Sequence, residues 1–359
     1  MSTRPRIYLD YNASAPLTEA ARAPMVDALA FLANPSSIHA EGRRARDLVE
    51  RARRQIADLV GRPREQVVFT SGGTEANQLG VAALARIAEA RGLPRVVATT
   101  PLEHPSLKGA IAALVAGGWR TVMLSADASI DEPVGLVAAA LVNHELGTIL
   151  DLATLPAGAL VHVDAVQAVG KLALPAVDSL AISAHKLGGP PGVGALVVAS
   201  DAGLGSDAGH QERGRRPGTE NVVGIVGFGA AATEVDPAAW AAVATLGDRL
   251  EQGILAIPGT RIHGADRPRV GGTVNAGFAG ARGQDLVIAL DLEGIAASTG
   301  AACTSGSVKP SEVLLGLGLA PGQALEAVRF SLGRGTTEAQ IDEVVERLVP
   351  LVQRARLHR

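Results

Sequence analysis

The chain has 359 residues, of which 47% are hydrophobic and 19% charged, and its formal net charge is -3. This length can bury a core large enough for one big domain and a smaller one. The small net charge provides no field toward nucleic acid or an anionic membrane, so we expect neither partner. No apolar stretch approaches the roughly 20 residues of a membrane helix. A single cysteine excludes an internal disulfide and favours a reducing, cytoplasmic compartment.

Short apolar runs alternate with segments of helical spacing through the first two thirds of the chain. The run at 66–71 predicts a strand, and the segment 74–91 that follows predicts a helix. The hydrophobicity of such runs is continuous, which is typical of strands covered on both faces in a parallel sheet. Further strands are predicted at 95–99, 119–124, 135–143, 160–164, 179–183 and 194–199. The sequence therefore predicts an α/β fold with a mostly parallel sheet covered by helices.

The pattern changes from about residue 237, and we place a domain change near 235–260. The segments that follow are a helix at 238–257, an apolar run at 272–278, an amphipathic segment at 284–293, a Gly/Ser/Thr-rich loop around Cys303 and a final helix at 337–356. We expect residues 15–240 to form a large domain. Residues 1–14 and 241–359 are expected to form a smaller α+β domain that carries the Cys303 loop.

The segment 43–54 is rich in arginine and also contains Asp47 and Glu50. Such charge patterns usually belong to a solvated helix face. Contact with nucleic acid is the alternative, but the net charge does not support it. We therefore predict a solvated face.

A glycine-rich turn at 70–75 lies where the first predicted strand ends and a helix begins. The first turn of a helix presents free backbone N–H groups, and glycine lets an anion approach closely. Gly73 and Thr74 are therefore candidates for binding a phosphate, and Ser183 and His185 offer further donors. A tight structural connection would use the same residues.

Asp164 ends an apolar strand, where ligands bind in open α/β folds, although a helix N-cap is an equal alternative. Gln167 follows three residues later on the same side of the next turn. His104 also follows a predicted strand, and a structural hydrogen bond is its default interpretation. A function can be assigned to these three residues only when they are considered together with the neighbouring motifs.

Lys186 follows the apolar strand at 179–183 and precedes a Gly/Pro-rich segment, an unusual place for a solvated lysine. A lysine in a partly dry pocket loses its proton readily and attacks carbonyl groups. Cys303 lies in the polar segment 299–306, which favours an exposed thiol, although free cysteines are usually small buried residues. A lysine able to form an imine, an aspartate for a pyridine nitrogen and one thiol indicate sulfur chemistry on pyridoxal 5'-phosphate (PLP).

Taken in order, these segments resemble the cysteine desulfurases of the NifS/IscS type. The resemblance extends over nearly the whole chain, through the segments 8–16, 34–37, 69–77, 103–104, 143–147, 162–171, 183–194, 212–221, 298–305 and 329–334. That family consists of class V aminotransferase-like enzymes of PLP fold type I. The resemblance implies an enzyme that converts L-cysteine to L-alanine and acts as a sulfurtransferase.

The resemblance assigns the PLP contacts residue by residue. Lys186 would hold PLP through an imine and then move protons, while Asp164 would keep the pyridine nitrogen protonated. His104 would stack on the ring, and Gln167 would hydrogen-bond its phenolic oxygen. The phosphate would be held by Gly73, Thr74, Ser183 and His185, and by Thr219 of a neighbouring subunit, which implies a homodimer.

The resemblance also assigns the substrate contacts. Arg329 would pair with the substrate carboxylate, a task that suits a bidentate guanidinium, and Asn34 would border it. The thiolate of Cys303 would accept the sulfur and become a persulfide. His144 stands where the family usually has an asparagine beside the PLP oxygen and the substrate carboxylate. Its size and titration are expected to alter cofactor absorbance or the pH profile.

Three alternatives remain open from the sequence. A selenocysteine lyase or an ordinary class V aminotransferase would share the PLP residues, but transamination needs no thiol. An inactive sulfur-relay or scaffolding subunit would not need Lys186, Asp164, His104, Arg329 and Cys303 together. The destination of the sulfur is also open, since iron–sulfur clusters, thiolated tRNA and molybdenum cofactor all use such enzymes, and the sulfur-acceptor protein is not identified.

Overall fold

The computed structural model describes residues 5–30, 33–124, 130, 132–205, 208–300 and 309–357. Cys303 lies outside the described residues. Contacts between residues divide the chain into two compact units. The larger unit consists of residues 15–141 and 150–236, and the smaller unit of residues 1–14, 142–149 and 237–359.

The described strands are β1 (Ile7–Tyr8), β2 (Val67–Thr70), β3 (Val96–Thr99), β4 (Arg120–Met123), β5 (Leu136–Ala140), β6 (Leu160–Asp164), β7 (Ser179–Ser183), β8 (Gly194–Val198), β9 (Thr260–Ile262), β10 (Thr273–Phe278), β11 (Ile295–Ala296) and β12 (Ala327–Ser331). The described helices are α1 (Glu19–Leu29), α2 (Ala40–Val60), α3 (Gly73–Ala90), α4 (Pro105–Ala116), α5 (Val222–Thr233), α6 (Trp240–Leu255), α7 (Gly283–Leu292), α8 (Glu312–Gly316), α9 (Pro321–Ala324) and α10 (Glu338–Leu357).

A seven-stranded sheet in the order β2-β8-β7-β6-β5-β3-β4 forms the centre of the larger unit. Strand β8 is antiparallel to both of its neighbours, and the pairings among β7, β6, β5, β3 and β4 are all parallel. The expected α/β fold with a mostly parallel sheet is therefore confirmed. The carboxyl ends of β6 and β7 meet at one edge of this sheet, where the site is built.

Both faces of the central sheet are covered, which explains the continuous hydrophobicity of its strands. Val97 and Leu136 pack on one face in a cluster with residues of α3 and α4. Their chain neighbours Val96 and Val137 join a separate cluster on the other face. Because alternate residues of one strand enter different cores, every position has to be apolar.

The smaller unit contains a three-stranded antiparallel sheet in the order β12-β10-β9 and a parallel pair of β1 with β11. Its core includes Val274, Phe278, Val328 and Phe330 from the sheet, packed with residues of α6, α7 and α10. One face of this sheet is thus apolar. The other face carries the polar residues of β10 and β12, because side chains alternate along a strand.

The arginine-rich segment lies in α2, and its prediction as a solvated face needs one correction. Arg43, Arg44, Arg51 and Arg54 are exposed as expected. Arg53 is buried, and its guanidinium pairs with Glu212 at 2.6 Å. The solvated assignment is therefore wrong for Arg53, because a carboxylate distant in sequence compensates its charge inside the protein.

Within the described part of the chain, no single helix has the length and apolar character needed to cross a membrane. Among the described helices, one bent pair, Val222–Thr233 with Pro237–Leu255, has the length and composition of a membrane span when the two are taken together.

Candidate active site

Lys186, Asp164 and Ser183 lie at or just beyond the carboxyl ends of two adjacent parallel strands. Asp164 is the last residue of β6, and Ser183 is the last residue of β7. Lys186 follows in the single 3-10 turn Ala184–Lys186. Asp164 is opposite Ala181 in the β6–β7 ladder, so these strand ends are close together. This edge is where open α/β sheets bind their ligands.

The carboxylate of Asp164 is buried and hydrogen-bonded at both oxygens. Its Oδ2 accepts from Nδ2 of Asn77 at 2.7 Å, and its Oδ1 accepts from the backbone N–H of Val166 at 3.0 Å. Burial raises the pKa of Asp164, and these two N–H groups together with the charges of His104 and Lys186 oppose that rise. A cation placed beside this carboxylate, such as a protonated pyridine nitrogen, would oppose that rise further.

The charge of Lys186 acts on three candidate residues at once. Burial and then the Lys186 charge lower the pKa of His185 to about 4. The pKa of His104 is also lowered, first by desolvation, with Lys186 among the further causes. The same ammonium group opposes the rise in the pKa of Asp164. Lys186 is therefore within electrostatic reach of the predicted aspartate and of both predicted histidines.

The glycine-rich turn lies against these strand ends. Strand β2 ends at Thr70 and α3 begins at Gly73, each within one residue of the predicted boundary. A Cβ atom on Gly73 would lie 2.7 Å from Cγ2 of Val166 and 3.5 Å from Cβ of Ser183. Only glycine fits there, so the helix N-terminus stays close to the ends of β6 and β7. This donor set, with a hydroxyl, an imidazole and a helix N-terminus, suits a phosphate group.

A second loop is tied to the same turn. The guanidinium of Arg216 donates to both carboxylate oxygens of Glu75, at 2.9 and 3.1 Å. Glu75 also accepts the backbone N–H of Ser71 in the turn. Thr219, three residues beyond Arg216, is exposed. Its contact with the phosphate of a neighbouring subunit stays a prediction.

His104 and Gln167 are held by hydrogen bonds that orient their side chains. His104 is the N-cap of α4, and its Nδ1 accepts the backbone N–H of Ser106 at 3.1 Å. Its predicted structural role and its predicted ring-stacking role are therefore compatible. The side chain of Gln167 is buried, and its Oε1 accepts from Nζ of Lys171 at 3.1 Å. This bond orients the amide NH2 of Gln167 away from Lys171.

Arg329 lies in β12 of the smaller unit and is almost fully buried. Its Nη2 donates to Oδ1 of Asp10 at 2.7 Å, and its Nη1 donates to the backbone carbonyl of His144 at 3.0 Å. Asn12 donates to the same carbonyl at 3.1 Å. Arg329 and His144, both predicted to contact substrate, are thus neighbours. The link uses the backbone of His144, so it does not depend on the unusual side chain at this position.

A polar row crosses the three-stranded sheet beside Arg329. Asn275 in β10 is opposite Arg329 in β12. The backbone N–H of His263 donates to the carbonyl of Asn275 on the other side. All three side chains are buried, and Nε of Arg329, both amide atoms of Asn275 and Nε2 of His263 have no hydrogen-bond partner among the described residues. The sequence analysis did not identify Asn275 or His263. An asparagine inside the apolar run 272–278 was the signal that could have indicated Asn275.

Glu145 fixes the two chain segments that flank the predicted cysteine loop. The hydroxyl of Ser311 donates to Oε2 of Glu145 at 2.7 Å. On the other side, a Cβ atom on Gly300 would lie 2.5 Å from the same oxygen. Glu145 is buried, and its Oε1 is 3.7 Å from Nε2 of His144. Gly300 and Ser311, on either side of the undescribed residues 301–308, therefore both lie next to Glu145.

The structure does not connect every predicted residue to this site. Asn34 is exposed, and its Oδ1 accepts the backbone N–H of Ser36 at 2.9 Å, so its contact with a substrate carboxylate stays a prediction. The same holds for the role of Cys303. Three buried residues beneath Asp164 were missed, namely Asn77, Ser106 and His162. The available signals were an asparagine within an alanine-rich helix and a histidine within the apolar strand β6.

The chain was then compared with known proteins. The family model for Aminotransferase class-V matches residues 7–344. Cysteine desulfurase 2 of Trichormus variabilis is 39% identical over 377 residues, covering 98% of this chain and 94% of that protein. A solved structure named NifS-like protein has a TM-score of 0.86 at 28% identity, covering 97% of this chain and 99% of the other.

A structure of SspA in complex with cysteine has a TM-score of 0.77 at 28% identity, covering 91% of this chain and 98% of the other. Similarity in sequence thus extends over almost the whole chain, and similarity in fold covers both units. The expected PLP fold type I is confirmed by these neighbours. The chain belongs to the class V aminotransferase family and, within it, to the cysteine desulfurases of the NifS type.

Proposed function

We propose that this protein is a PLP-dependent cysteine desulfurase that converts L-cysteine to L-alanine and takes up the sulfur as a persulfide on Cys303. The observation that carries the proposal is the arrangement of Lys186 within electrostatic reach of Asp164, His104 and His185 at one edge of the sheet. The N-terminus of α3 lies at the same edge, where Gly73 allows it to pack closely. When bound, PLP supplies an electron sink that stabilises negative charge at the substrate Cα.

The residues of the larger unit hold and tune the cofactor in this proposal. Lys186 would hold the cofactor at its aldehyde and would move protons at the substrate carbon. Asp164 would keep the ring nitrogen protonated, because a buried carboxylate is stabilised by an adjacent cation. His104 would lie against the ring, and Gln167 would donate a hydrogen bond to the phenolic oxygen. The phosphate would be held by Gly73, Thr74, Ser183, His185 and, from a neighbouring subunit, Thr219.

The substrate carboxylate is assigned to Arg329, with Asn34 and His144 beside it. Among the described residues, Nε of Arg329 has no partner, while Asp10 and His144 accept from its two terminal nitrogens, so donor capacity remains for a carboxylate. In the sulfur transfer, the thiolate of Cys303 forms an S–S bond with the substrate sulfur while the carbon–sulfur bond breaks. The carbon retains that electron pair and takes up a proton. L-cysteine and one thiol thus become L-alanine and one persulfide.

The further proposals concern assembly and context. We propose a homodimer, because Thr219 is assigned to the phosphate of another subunit. A sulfur-acceptor protein would receive the persulfide sulfur, for iron–sulfur cluster assembly or another thio-product. The single cysteine of the chain fits a reducing cytoplasmic location. The domain assignment remains the one predicted from sequence, with PLP in residues 15–240 and the Cys303 loop in the domain of residues 1–14 and 241–359.

The test is incubation of the purified protein with L-cysteine, followed by measurement of alanine and sulfide under reducing conditions. We expect both products in equal amounts from the wild type and neither from Lys186→Ala. Cys303→Ser should keep the visible absorbance of bound PLP and lose sulfide release. L-selenocysteine is measured in parallel, and a strong preference for it would move the assignment to a selenocysteine lyase. Normal sulfide release by Cys303→Ser would refute the role of this thiol.

A further inference from the structure

A chain of buried polar side chains lies beneath Asp164, and Asn77 of α3 is its centre. Asn77 has no solvent exposure. Its Nδ2 is 2.7 Å from Oδ2 of Asp164 and 2.9 Å from Oγ of Ser106. Its Oδ1 is 3.0 Å from Nε2 of His162, whose Nδ1 is 2.7 Å from Oγ of Ser179. Five side chains of the larger unit are thus connected by hydrogen bonds, namely Asn77, Asp164, Ser106, His162 and Ser179.

The position of each proton along one arm follows from donor and acceptor chemistry. The carboxylate of Asp164 only accepts, so the NH2 of Asn77 faces it and Oδ1 faces His162. Burial lowers the pKa of His162 to about 3, so its ring is neutral and carries one proton. Because an amide oxygen only accepts, that proton is on Nε2. Nδ1 of His162 therefore accepts the hydroxyl proton of Ser179.

The other arm leads to the predicted ring-stacking histidine. Ser106 accepts the second amide hydrogen of Asn77, so its own hydroxyl proton is directed to Nδ1 of His104, at 2.8 Å. The backbone N–H of Ser106 also donates to this Nδ1 at 3.1 Å. A backbone N–H has no lone pair to accept a proton. Nδ1 of His104 is therefore an acceptor for two donors, and the ring proton is on Nε2.

We propose that Asn77 and Ser106 are positioning residues that hold His104 as a neutral ring protonated at Nε2. In this state His104 donates through Nε2, while its basic nitrogen is occupied as the cap of α4. The role of His104 next to PLP rests on the proposed function, but the proton arrangement itself does not.

Protonation of Nδ1 requires both Ser106 donors to turn away, so the network opposes the cationic form of His104. The charged groups that act on this ring are Asp164, which favours the cation, and Lys186 and Lys108, which oppose it. None of these charges is altered by replacing a serine with alanine. The contribution of Ser106 is therefore separable from the electrostatic background.

The test is ring nitrogen-15 NMR of the holoenzyme labelled at its histidines, of which the chain has eight. The His104 signal is assigned by its loss in His104→Gln. We expect a single neutral tautomer with the proton on Nε2 in the wild type. A His104 signal that shows protonated Nδ1 at neutral pH would overturn the proposal without any variant, and this outcome is independent of whether the protein releases sulfide.

Ser106→Ala removes the hydroxyl donor and leaves the backbone donor in place. Loss of one hydrogen bond corresponds to about a twofold to tenfold increase in the ratio of protonated to neutral His104 at a given pH. Ser179→Ala is the matched control, since Ser179 is also buried and its hydroxyl lies at the other end of this hydrogen-bonded network. It should change the His162 signals and leave those of His104 unchanged. An unchanged ratio in Ser106→Ala, or an equal change in Ser179→Ala, would contradict the role of Ser106.

Discussion

Replacing Arg53 with methionine removes the cation from a buried ion pair that supports the loop before Thr219. Arg53 donates to the two carboxylate oxygens of Glu212 at 2.6 and 2.8 Å, and its guanidinium lies 4.8 Å from the ring centroid of Phe69. The side chains of Arg53 and Glu212 are only 4% and 1% exposed. Glu212 has a positive φ of 49°, so this pair also holds an unfavourable backbone conformation.

The size of the effect follows from the charge left behind. In the variant, the carboxylate of Glu212 retains the backbone N–H of Phe69 at 2.9 Å but loses its counter-ion. Removal of one partner from a buried ion pair costs about 3–5 kcal/mol, because the remaining charge stays desolvated. Replacing both partners with apolar residues removes that penalty. We therefore expect Arg53→Met to destabilise strongly and the double variant Arg53→Met/Glu212→Leu to recover much of the loss.

Urea unfolding of the wild type, both single variants and the double variant measures this coupling. Arg22→Met is the matched control, because Arg22 forms an ion pair with Glu19 on the surface and both side chains are largely exposed. The control should unfold at the wild-type urea concentration. Additive effects of the two single substitutions in the double variant would show that the pair is not coupled and would refute the reasoning.

The remaining predictions concern three polar groups near the site. Burial raises the pKa of Glu103 to about 7 from 4.5, so the folded state binds this proton more tightly and stability is lost as pH rises between those values. Relative to Glu103→Gln, the free energy of unfolding measured in urea should fall by about 3 kcal/mol across that range. Parallel plots of this free energy against pH for the wild type and Glu103→Gln would contradict the prediction. His144→Asn replaces an imidazole with a side chain that does not ionise, and we expect a changed pH dependence of PLP absorbance; spectra unchanged from pH 6 to 9 would exclude a role for the imidazole. The buried amide of Asn275 has no partner in the part of the chain that the structure describes, so Asn275→Leu should maintain or increase stability. KM for L-cysteine should rise severalfold if Asn275 positions Arg329, and an unchanged KM would leave Asn275 without that role.

Much of the fold could be read from the chain because its strongest signal is burial. The predicted strand at 160–164 agrees with β6 at both ends, and the helix predicted at 74–91 agrees with α3 to within one residue. The signal was weaker where packing is one-sided. Strand β4 is partly exposed but lies within the predicted run 119–124, whereas the short strands β9 and β11, of three and two residues, were not predicted. Such elements form because neighbouring structure orders them, and their own residues specify them poorly.

The site shows a similar division between residues with intrinsic chemistry and residues that act through contacts. Lys186 and Asp164 are reactive or charged groups at the ends of apolar strands, which marks them in any sequence of this fold. The burial of Arg53 was hidden because Glu212 lies 159 residues away in the chain. Asn77 was hidden for the same reason, since Asp164 and His162 are far from it in sequence and a single asparagine in a helix carries no signal of its own.

The Asn77 network and the polar row beside Arg329 differ in how their buried groups are satisfied, and this difference fits their proposed ligands. In the larger unit, the network through Asn77 pairs each donor with an acceptor, so the groups around a permanently bound cofactor are rigid before it arrives. In the smaller unit, Arg329, Asn275 and His263 retain unpartnered polar atoms among the described residues. A buried polar atom without a hydrogen-bond partner destabilises the folded protein. A transient anionic substrate that supplies acceptors to such donors would therefore bind more tightly. Full pairing around the cofactor and incomplete pairing around the substrate carboxylate are what an enzyme needs when one ligand stays and the other must leave.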